Sequence, residues 1–273
     1  MRSGLRPSET ERSSPVRQLK DRLNRRELTI GSWITIGHPS IAEIMATAGF
    51  DWLAIDMEHS AITLDQALVL IQVIELSGIP PLVRVGENDP VVIKRVMDAG
   101  AHGVIVPMVN SAQEAQKAVS AVKYPPVGSR GVGLARAQRY GTGFESYMEW
   151  NREKSIVIVQ IEHILGVENF DAILAVDGVD GFLLGPYDLS GSLGIPGQFE
   201  HPRFIEALAA LQQKSRNRQA LAGYHVVPPE PEKMNEKIRD GYRFLSYSVD
   251  FLLLGATCRR DMIAIRSFAE KNQ

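Results

Sequence analysis

Short apolar runs alternate with amphipathic stretches along most of this chain. The runs cover residues 32–36, 52–55, 82–85, 104–107, 156–161, 181–184, 220–227 and 244–249. Each is too short for a helix and almost unbroken in hydrophobic character, which is how strands buried on both faces of a parallel sheet read. Between them lie stretches with helical periodicity, over 64–76, 91–99, 112–122, 167–175, 204–214, 232–240 and 253–270. Gly49, Gly78, Gly100 and Gly241 stand where helices should stop, because glycine enters the left-handed conformation without a Cβ penalty. A short charged helix is expected over 18–27, with Leu19 and Leu23 four residues apart. Eight strand–helix units in strict alternation predict an α/β fold, a closed (β/α)8 (TIM) barrel forming a single domain over 18–273. An open doubly wound sheet usually has fewer strands and a reversal in their order. No Gly-x-Gly-x-x-Gly opens a helix, so a nucleotide cofactor gets no support.

Composition narrows the partners. The 273 residues carry a formal charge of −2, so no global field recruits nucleic acid or an anionic membrane. No apolar run approaches the about 18 residues of a membrane span. The single cysteine, Cys258, leaves no intramolecular disulfide and no cysteine-rich metal site, which fits a reducing cytoplasm. Residues 1–17 carry Arg2, Arg6, Arg12 and Arg17 among Ser, Pro and Glu with no apolar core. They read as a disordered leader, and Glu9 and Glu11 argue against a transit peptide.

A barrel's chemistry collects at the C-terminal ends of its strands. There the second run ends in Asp56, Glu58 and His59, and the third holds Arg84 and leads into Glu87, Asn88 and Asp89. The fifth ends in Gln160, Glu162 and His163, and the sixth in Gly185, Pro186, Tyr187 and Asp188. The seventh ends near Tyr224 and His225, the eighth near Ser248 and Asp250. Glu162 and Asp188 fall on adjacent strands and could share one hard cation, with water and substrate oxygens completing an octahedron. Arg84 interrupts an apolar strand, and an arginine inside a barrel is costly unless it meets anions. It suits a substrate carboxylate or a developing enolate oxygen, or a salt bridge to Asp56 or Glu58, and both can hold at once. His59 is the natural proton carrier, with His38 competing, while His102 and His201 read as surface or structural residues. No lysine falls at a strand's C-terminal end, which argues against a Schiff base. No His-Glu-x-x-His or Gly-x-Ser-x-Gly supports a zinc hydrolase or a hydrolase triad. Two long connections, 124–150 and 187–201, are the other features that favour function. The first carries Arg130, Arg136 and Arg139 and is long enough to travel from the bottom of the barrel to its top.

These residues resemble the HpcH/HpaI aldolase family, the metal-dependent pyruvate aldolases. The resemblance runs through GFDWLAIDMEH at the second strand, PLVRVGENDPVVIKRVMDAG around the third and VIVPMV at the fourth. It continues through YPPVGSRGVGLARA in the long connection, VQIE at the fifth strand and GVDGFLLGPYDLS at the sixth. It implies cleavage of a 4-hydroxy-2-oxo acid, such as a 2-keto-3-deoxy sugar acid, to pyruvate and an aldehyde, and the reverse addition. It implies a divalent cation, Mg2+, Mn2+ or Co2+, on Glu162 and Asp188, with Arg84 polarising the 2-oxo group. Gln160 and the backbone from Gly185 through Pro186 and Tyr187 to Asp188 would seat the pyruvyl part. His59, with Asp98, would act through a water as the base toward pyruvate C3. Asp98 ends a helix at the bottom of its own barrel, so it would serve the site of another subunit. The resemblance also implies a homo-oligomer, a hexamer built as a trimer of dimers that swap their C-terminal helices. The chain departs from the family pattern at His163, at Tyr187 and at His225, which stands where some relatives carry an aliphatic residue facing the acceptor aldehyde. The competing expectations are a citrate-synthase-like condensing enzyme of the same family and a non-catalytic barrel.

Overall fold

The computed structural model describes residues 19–272, and eight parallel strands close in it into one barrel in sequence order. The strands are β1 (Thr29–Ile34), β2 (Trp52–Asp56), β3 (Pro81–Arg84), β4 (Gly103–Val106), β5 (Ile156–Ile161), β6 (Gly181–Leu184), β7 (Ala222–Val226) and β8 (Phe244–Val249). Around them run α1 (Leu19–Asn24), α2 (Pro39–Ala46), α3 (Leu64–Leu76), α4 (Pro90–Asp98), α5 (Ala112–Val122) and α6 (Phe144–Lys154). Then follow α7 (Ile164–Glu168), α8 (Phe170–Ile173), α9 (Pro186–Ser192), α10 (Pro202–Arg218), α11 (Pro231–Arg239) and α12 (Asp250–Lys271). The ring closes where β8 pairs with β1, Thr29 opposite Phe244 and Trp33 opposite Val249. The expected barrel is thus present, and every strand lies within a few residues of its apolar run. The expected leader 1–17, and residue 18, lie outside the described residues.

Alternation along the strands divides the core in two. Trp33, Trp52, Ala54, Leu82, Ile105, Ile158, Leu183 and Phe244 fill the barrel interior. Residues one step away, such as Leu53, Val83, Val104, Val157 and Leu184, pack outward under the helices. Trp52 stacks on Phe244 with ring centroids 4.3 Å apart. Gly31 makes this stack fit, since a Cβ there would overlap the Trp52 ring. Leu19 and Leu23 of α1 join the interior cluster, so α1 plugs the N-terminal end of the barrel. Lys20 ion-pairs with Asp180, and Lys154 reaches Asp21 at 2.8 Å, fastening the plug from outside.

Gly49, Gly78, Gly100 and Gly241 all have positive φ, 90°, 80°, 105° and 96°, as their place after helices required. Other boundaries differ. The first helix ends at Asn24 because Arg26 turns left-handed, at φ 54°. The helix expected over 167–175 is two short ones, broken at Asn169, whose ψ is 6°. The connection 124–150 holds a 3-10 turn, Arg136–Gly141, and the start of α6. It does not travel to the top: Arg130 pairs with Asp98 at the end of α4, and Arg136 with Glu75 at the end of α3. Among the described residues no helix is long and apolar enough to cross a membrane.

Candidate active site

β2 and β3 run side by side with Asp56 opposite Arg84, the last residue of each strand. The carboxylate grips the guanidinium at two points, Nε to Oδ1 at 2.9 Å and Nη2 to Oδ2 at 2.6 Å. Oδ1 also accepts the backbone N–H groups of Glu58 (3.0 Å) and His59 (3.2 Å), so one side chain fixes both the arginine and the turn that carries the histidine. Burial opposes the charge on Asp56, but the hydrogen bonds and charge of Arg84 outweigh it and hold the carboxyl below its usual range. Arg84 Nε also lies 3.2 Å from Glu58 Oε2, and its Cζ sits 4.5 Å over the Trp33 ring. Nη1 makes no hydrogen bond among the described residues and is left for a substrate oxygen. Glu58 is pushed up to about 7 by burial, which the charge of Arg84 opposes and those of Glu162, Asp56 and Asp188 reinforce. His59 is exposed at the rim, its Nε2 3.8 Å from Glu58 Oε2.

On the other side of the mouth, Glu162 follows β5 and is buried. Its Oε1 accepts the N–H of Met108 at 2.7 Å, and its Oε2 accepts from Gln160 Nε2. Met108 reaches it from a left-handed conformation, φ 52°, just after β4. Burial raises the Glu162 carboxyl, its hydrogen bonds from Gln160 and Met108 act the other way, and the charge of Asp188 raises it further. Asp188 lies in the first turn of α9, which Gly185 caps. A Cβ on Gly185 would sit 2.6 Å from Glu162 Oε2, so only glycine lets this turn close over the carboxylate. Two coupled carboxylates, one of them buried, call for a positive charge between them. Their hard oxygens fit a cation that keeps several waters and takes one or two carboxylates from the protein. Among the described residues no group of three or more His, Cys, Asp or Glu is placed to hold a metal ion.

The remaining expected site residues separate. His225 points into the barrel from β7, its ring 5.5 Å from that of Trp33. Tyr187 is exposed on α9 and packs edge-on against Phe199, with centroids 5.0 Å apart. Pro186 is the buried first residue of α9. Asp98 lies at the opposite end of the barrel, paired with a fully buried Arg130 that also reaches Tyr147 Oη at 3.0 Å. His38, His163 and His201 each cap a helix, accepting a backbone N–H at Nδ1. His102 sits 3.5 Å from Glu75. Lys117 on α5 lines a rim cavity of 230 Å3 with Glu58, Glu87, Asn88 and Glu114. Sequence reasoning passed over Trp33, the platform under Arg84. The signal available was its position, two residues from Gly31 and therefore on the same, inward face of the strand.

Fold and rim together place the candidate chemistry at the C-terminal ends of the strands of a closed barrel. The chain belongs to the HpcH/HpaI aldolase/citrate lyase family, whose model matches residues 29–255. A 2-keto-3-deoxy-L-rhamnonate aldolase from Klebsiella pneumoniae subsp. pneumoniae is 38% identical over 254 residues, 92% of this chain and 94% of that one. The crystal structure of an HpcH/HpaI aldolase/citrate lyase family protein from Burkholderia cenocepacia superposes with a TM-score of 0.86 at 32% identity, covering 91% of this chain and 98% of that one. The citrate synthase SbnG superposes with a TM-score of 0.79 at 29% identity, covering 93% of this chain and 98% of that one.

Proposed function

We propose that this protein is a divalent-metal-dependent aldolase that cleaves a 4-hydroxy-2-oxo acid, of the 2-keto-3-deoxy sugar-acid class, to pyruvate and an aldehyde. The observation that carries the reading is Arg84, pinned by Asp56 at the end of β3 and close enough to the Glu162 carboxylate for each to act on the other's charge. The 38% identity to a 2-keto-3-deoxy-L-rhamnonate aldolase supports the substrate class. Glu162 and Asp188 would hold Mg2+, Mn2+ or Co2+, which supplies Lewis-acid polarisation of the 2-oxo oxygen when bound.

The chain's own groups do the rest. Arg84 Nη1 donates to the substrate's 2-oxo or carboxylate oxygen and stabilises the charge that develops as the C3–C4 bond breaks. Its planar fork is held by Asp56, so little reorganises during the reaction. Gln160 and the Gly185–Asp188 turn, with Pro186 and Tyr187, shape the seat for the pyruvyl part. His59 stands exposed at the rim beside Glu58, where it takes the proton of the 4-hydroxyl or exchanges one with pyruvate C3. Asp98 joins this chemistry from a neighbouring copy, because in its own barrel it belongs to the opposite end.

A multimer is part of the proposal. α12 leaves the barrel with Leu254, Ile263, Ile265 and Phe268 more than half exposed. Such a helix gains from a second copy that covers it, which supports dimers exchanging C-terminal helices and a hexamer built from three of them. The exposed free thiol of Cys258 supports a reducing, cytoplasmic location.

The test is pyruvate release, coupled to lactate dehydrogenase, across a panel of 4-hydroxy-2-oxo acids that includes 2-keto-3-deoxy-L-rhamnonate. Release that stops with EDTA and returns with Mg2+ or Mn2+ is the expected result. Free CoA from acetyl-CoA and oxaloacetate, with no pyruvate from any acid, would turn the reading to condensation, which the likeness to a citrate synthase keeps in view.

A further inference from the structure

Trp33 is the next-to-last residue of β1, and an indole is costly in that place. It is 1% exposed, and its Nε1 hydrogen finds no acceptor among the described residues. Buried tryptophan usually has a partner for its N–H, because a donor left unmade is destabilising. A leucine or a phenylalanine could fill the interior cluster that Trp33 shares with Ala54, Leu82 and Phe244, and would bring no orphan donor. The indole must therefore gain something that these side chains would not.

The gain lies on its face. Arg84 Cζ stands 4.5 Å over the centroid of the ring, inside the range of about 6 Å over which an aromatic quadrupole attracts a cation. Asp56 holds Nε and Nη2 at 2.9 and 2.6 Å, and Glu58 approaches Nε at 3.2 Å. All of these contacts fall on one edge of the guanidinium. They set where the fork points and leave its tilt about that edge open. A ring beneath Cζ closes that freedom. It also stabilises the charge without cancelling it. Asp56, Glu58 and Glu162 already outweigh burial and hold Arg84 charged; a further carboxylate would neutralise what an enolate oxygen needs. An uncharged face does not, and tryptophan presents the strongest one.

We propose that Trp33 is a positioning residue for the reaction. Its ring fixes the plane of Arg84 and so aims Nη1 at the 2-oxo acid, in the step that forms the enolate and whether or not an aldehyde is present. The proposal rests on the aldolase reading above and gives β1 a part in its enolate chemistry.

The experiment replaces Trp33 alone, by suppression of a stop codon at that position, with tryptophans carrying one to four fluorines on the ring. Fluorine drains negative charge from the face and leaves the shape nearly unchanged. The readout is exchange of pyruvate C3 protons in deuterated water at saturating Mg2+ and pyruvate. The logarithm of the exchange rate should fall in even steps with each fluorine, by about 5- to 30-fold in all, the range of one desolvated cation–π contact. Trp33→Phe should fall within the series and Trp33→Leu at its end; if Trp33→Leu fails to fold, the fluorinated proteins still decide the matter. A flat series overturns the proposal. So does a fall that appears in aldehyde addition and is absent from exchange, which would make the ring a wall for the aldehyde alone. No exchange in the unsubstituted enzyme overturns the aldolase reading and the positioning role with it.

Discussion

In Asp56→Asn the side chain keeps its shape but loses the charge that faces Arg84. The carboxylate and guanidinium are among the least exposed charges in the barrel, with side chains 3% and 11% accessible. An amide can still offer one oxygen to Arg84 Nε and to the N–H groups of Glu58 and His59. Its nitrogen then points at Nη2, donor against donor, where a 2.6 Å charge-assisted bond stood. Stripping one partner from a buried pair costs about 3–5 kcal/mol. Glu58, 3.2 Å from Nε, and the Trp33 ring retain part of the compensation, which places the loss near the lower end, about 3 kcal/mol. At about 2–4 °C per kcal/mol for a domain near this size, the midpoint of thermal unfolding should fall by roughly 6–12 °C. Turnover should fall with it, since Arg84 is no longer aimed. The assay is thermal unfolding of wild type, Asp56→Asn, Arg84→Met and the double variant, so that the coupling between the two residues is read directly. The double variant should recover stability relative to Asp56→Asn, because no bare buried charge remains. A midpoint within 2 °C of wild type in Asp56→Asn, or additive losses in the double variant, would refute the reasoning.

Three further outcomes follow. Glu162→Ala and Asp188→Ala should each abolish Mg2+ binding in calorimetric titration, and borohydride with pyruvate should leave the protein mass unchanged; a trapped adduct, for instance on Lys117, which lines the rim cavity, would sink the metal-enolate mechanism. Glu75 is pulled down to about 2 by its hydrogen bond to His102 and by Arg136, against the effect of burial. Because its folded pKa lies below the unfolded one, its stabilisation is present above pH about 4.3 and is lost as pH falls toward 2, so wild type should lose about 1 kcal/mol more than Glu75→Gln over that range, a figure reduced for solvent screening. Parallel stability curves would count against it. Ile263→Asp or Phe268→Asp on α12 should lower the mass seen by sedimentation; an unchanged mass would take that face out of the interface.

The barrel was legible because its strands are buried on both faces, which leaves runs such as 156–161 and 181–184 with almost no polar interruption. The glycine stops were legible because only a left-handed residue suits those positions. α6 was not, because its buried residues include Asn151 alongside Tyr147 and its periodicity is weak; the Gly-rich segment before it read as loop. α2 and α9 are 8 and 7 residues long, too short for a periodic signal to build, and are marked mainly by a proline at the start. At the site, Arg84 and the carboxylates stood out as charges inside apolar runs. Sequence could say that Arg84 needs an anion but not which one, since Asp56 and Glu58 are two residues apart and the choice is made by strand register. The course of the 124–150 connection was decided by Arg130 finding Asp98, a partner 32 residues away that no local pattern indicates.

The two ends of the barrel divide the work between them. At the N-terminal end, α1 seals the interior with Leu19 and Leu23, and Lys123 gives its charge to the backbone oxygens of Asn151 and Arg152 at 2.8 and 2.9 Å. Polar groups there are largely matched within the chain. Among the described residues, most buried side-chain atoms without a hydrogen-bond partner lie toward the C-terminal end: Asn88 Oδ1, Asn110 Oδ1, Gln160 Oε1, Trp33 Nε1, the hydroxyls of Ser246 and Ser248, and Glu58 Oε2, which is held by its ion pair with Arg84; Trp52 Nε1 and Arg130 Nε lie elsewhere. Each unmade hydrogen bond costs about 1–3 kcal/mol in a closed, dry protein, so this end is destabilising unless something polar enters it. That asymmetry is what a site complementary to an absent ligand requires, because a mouth fully satisfied by its own side chains would offer an incoming oxo acid no unpaired groups to bind. Stability therefore has to come from the plugged end and the aliphatic shell under the helices, and ligands that fill the mouth should stabilise the fold by completing it.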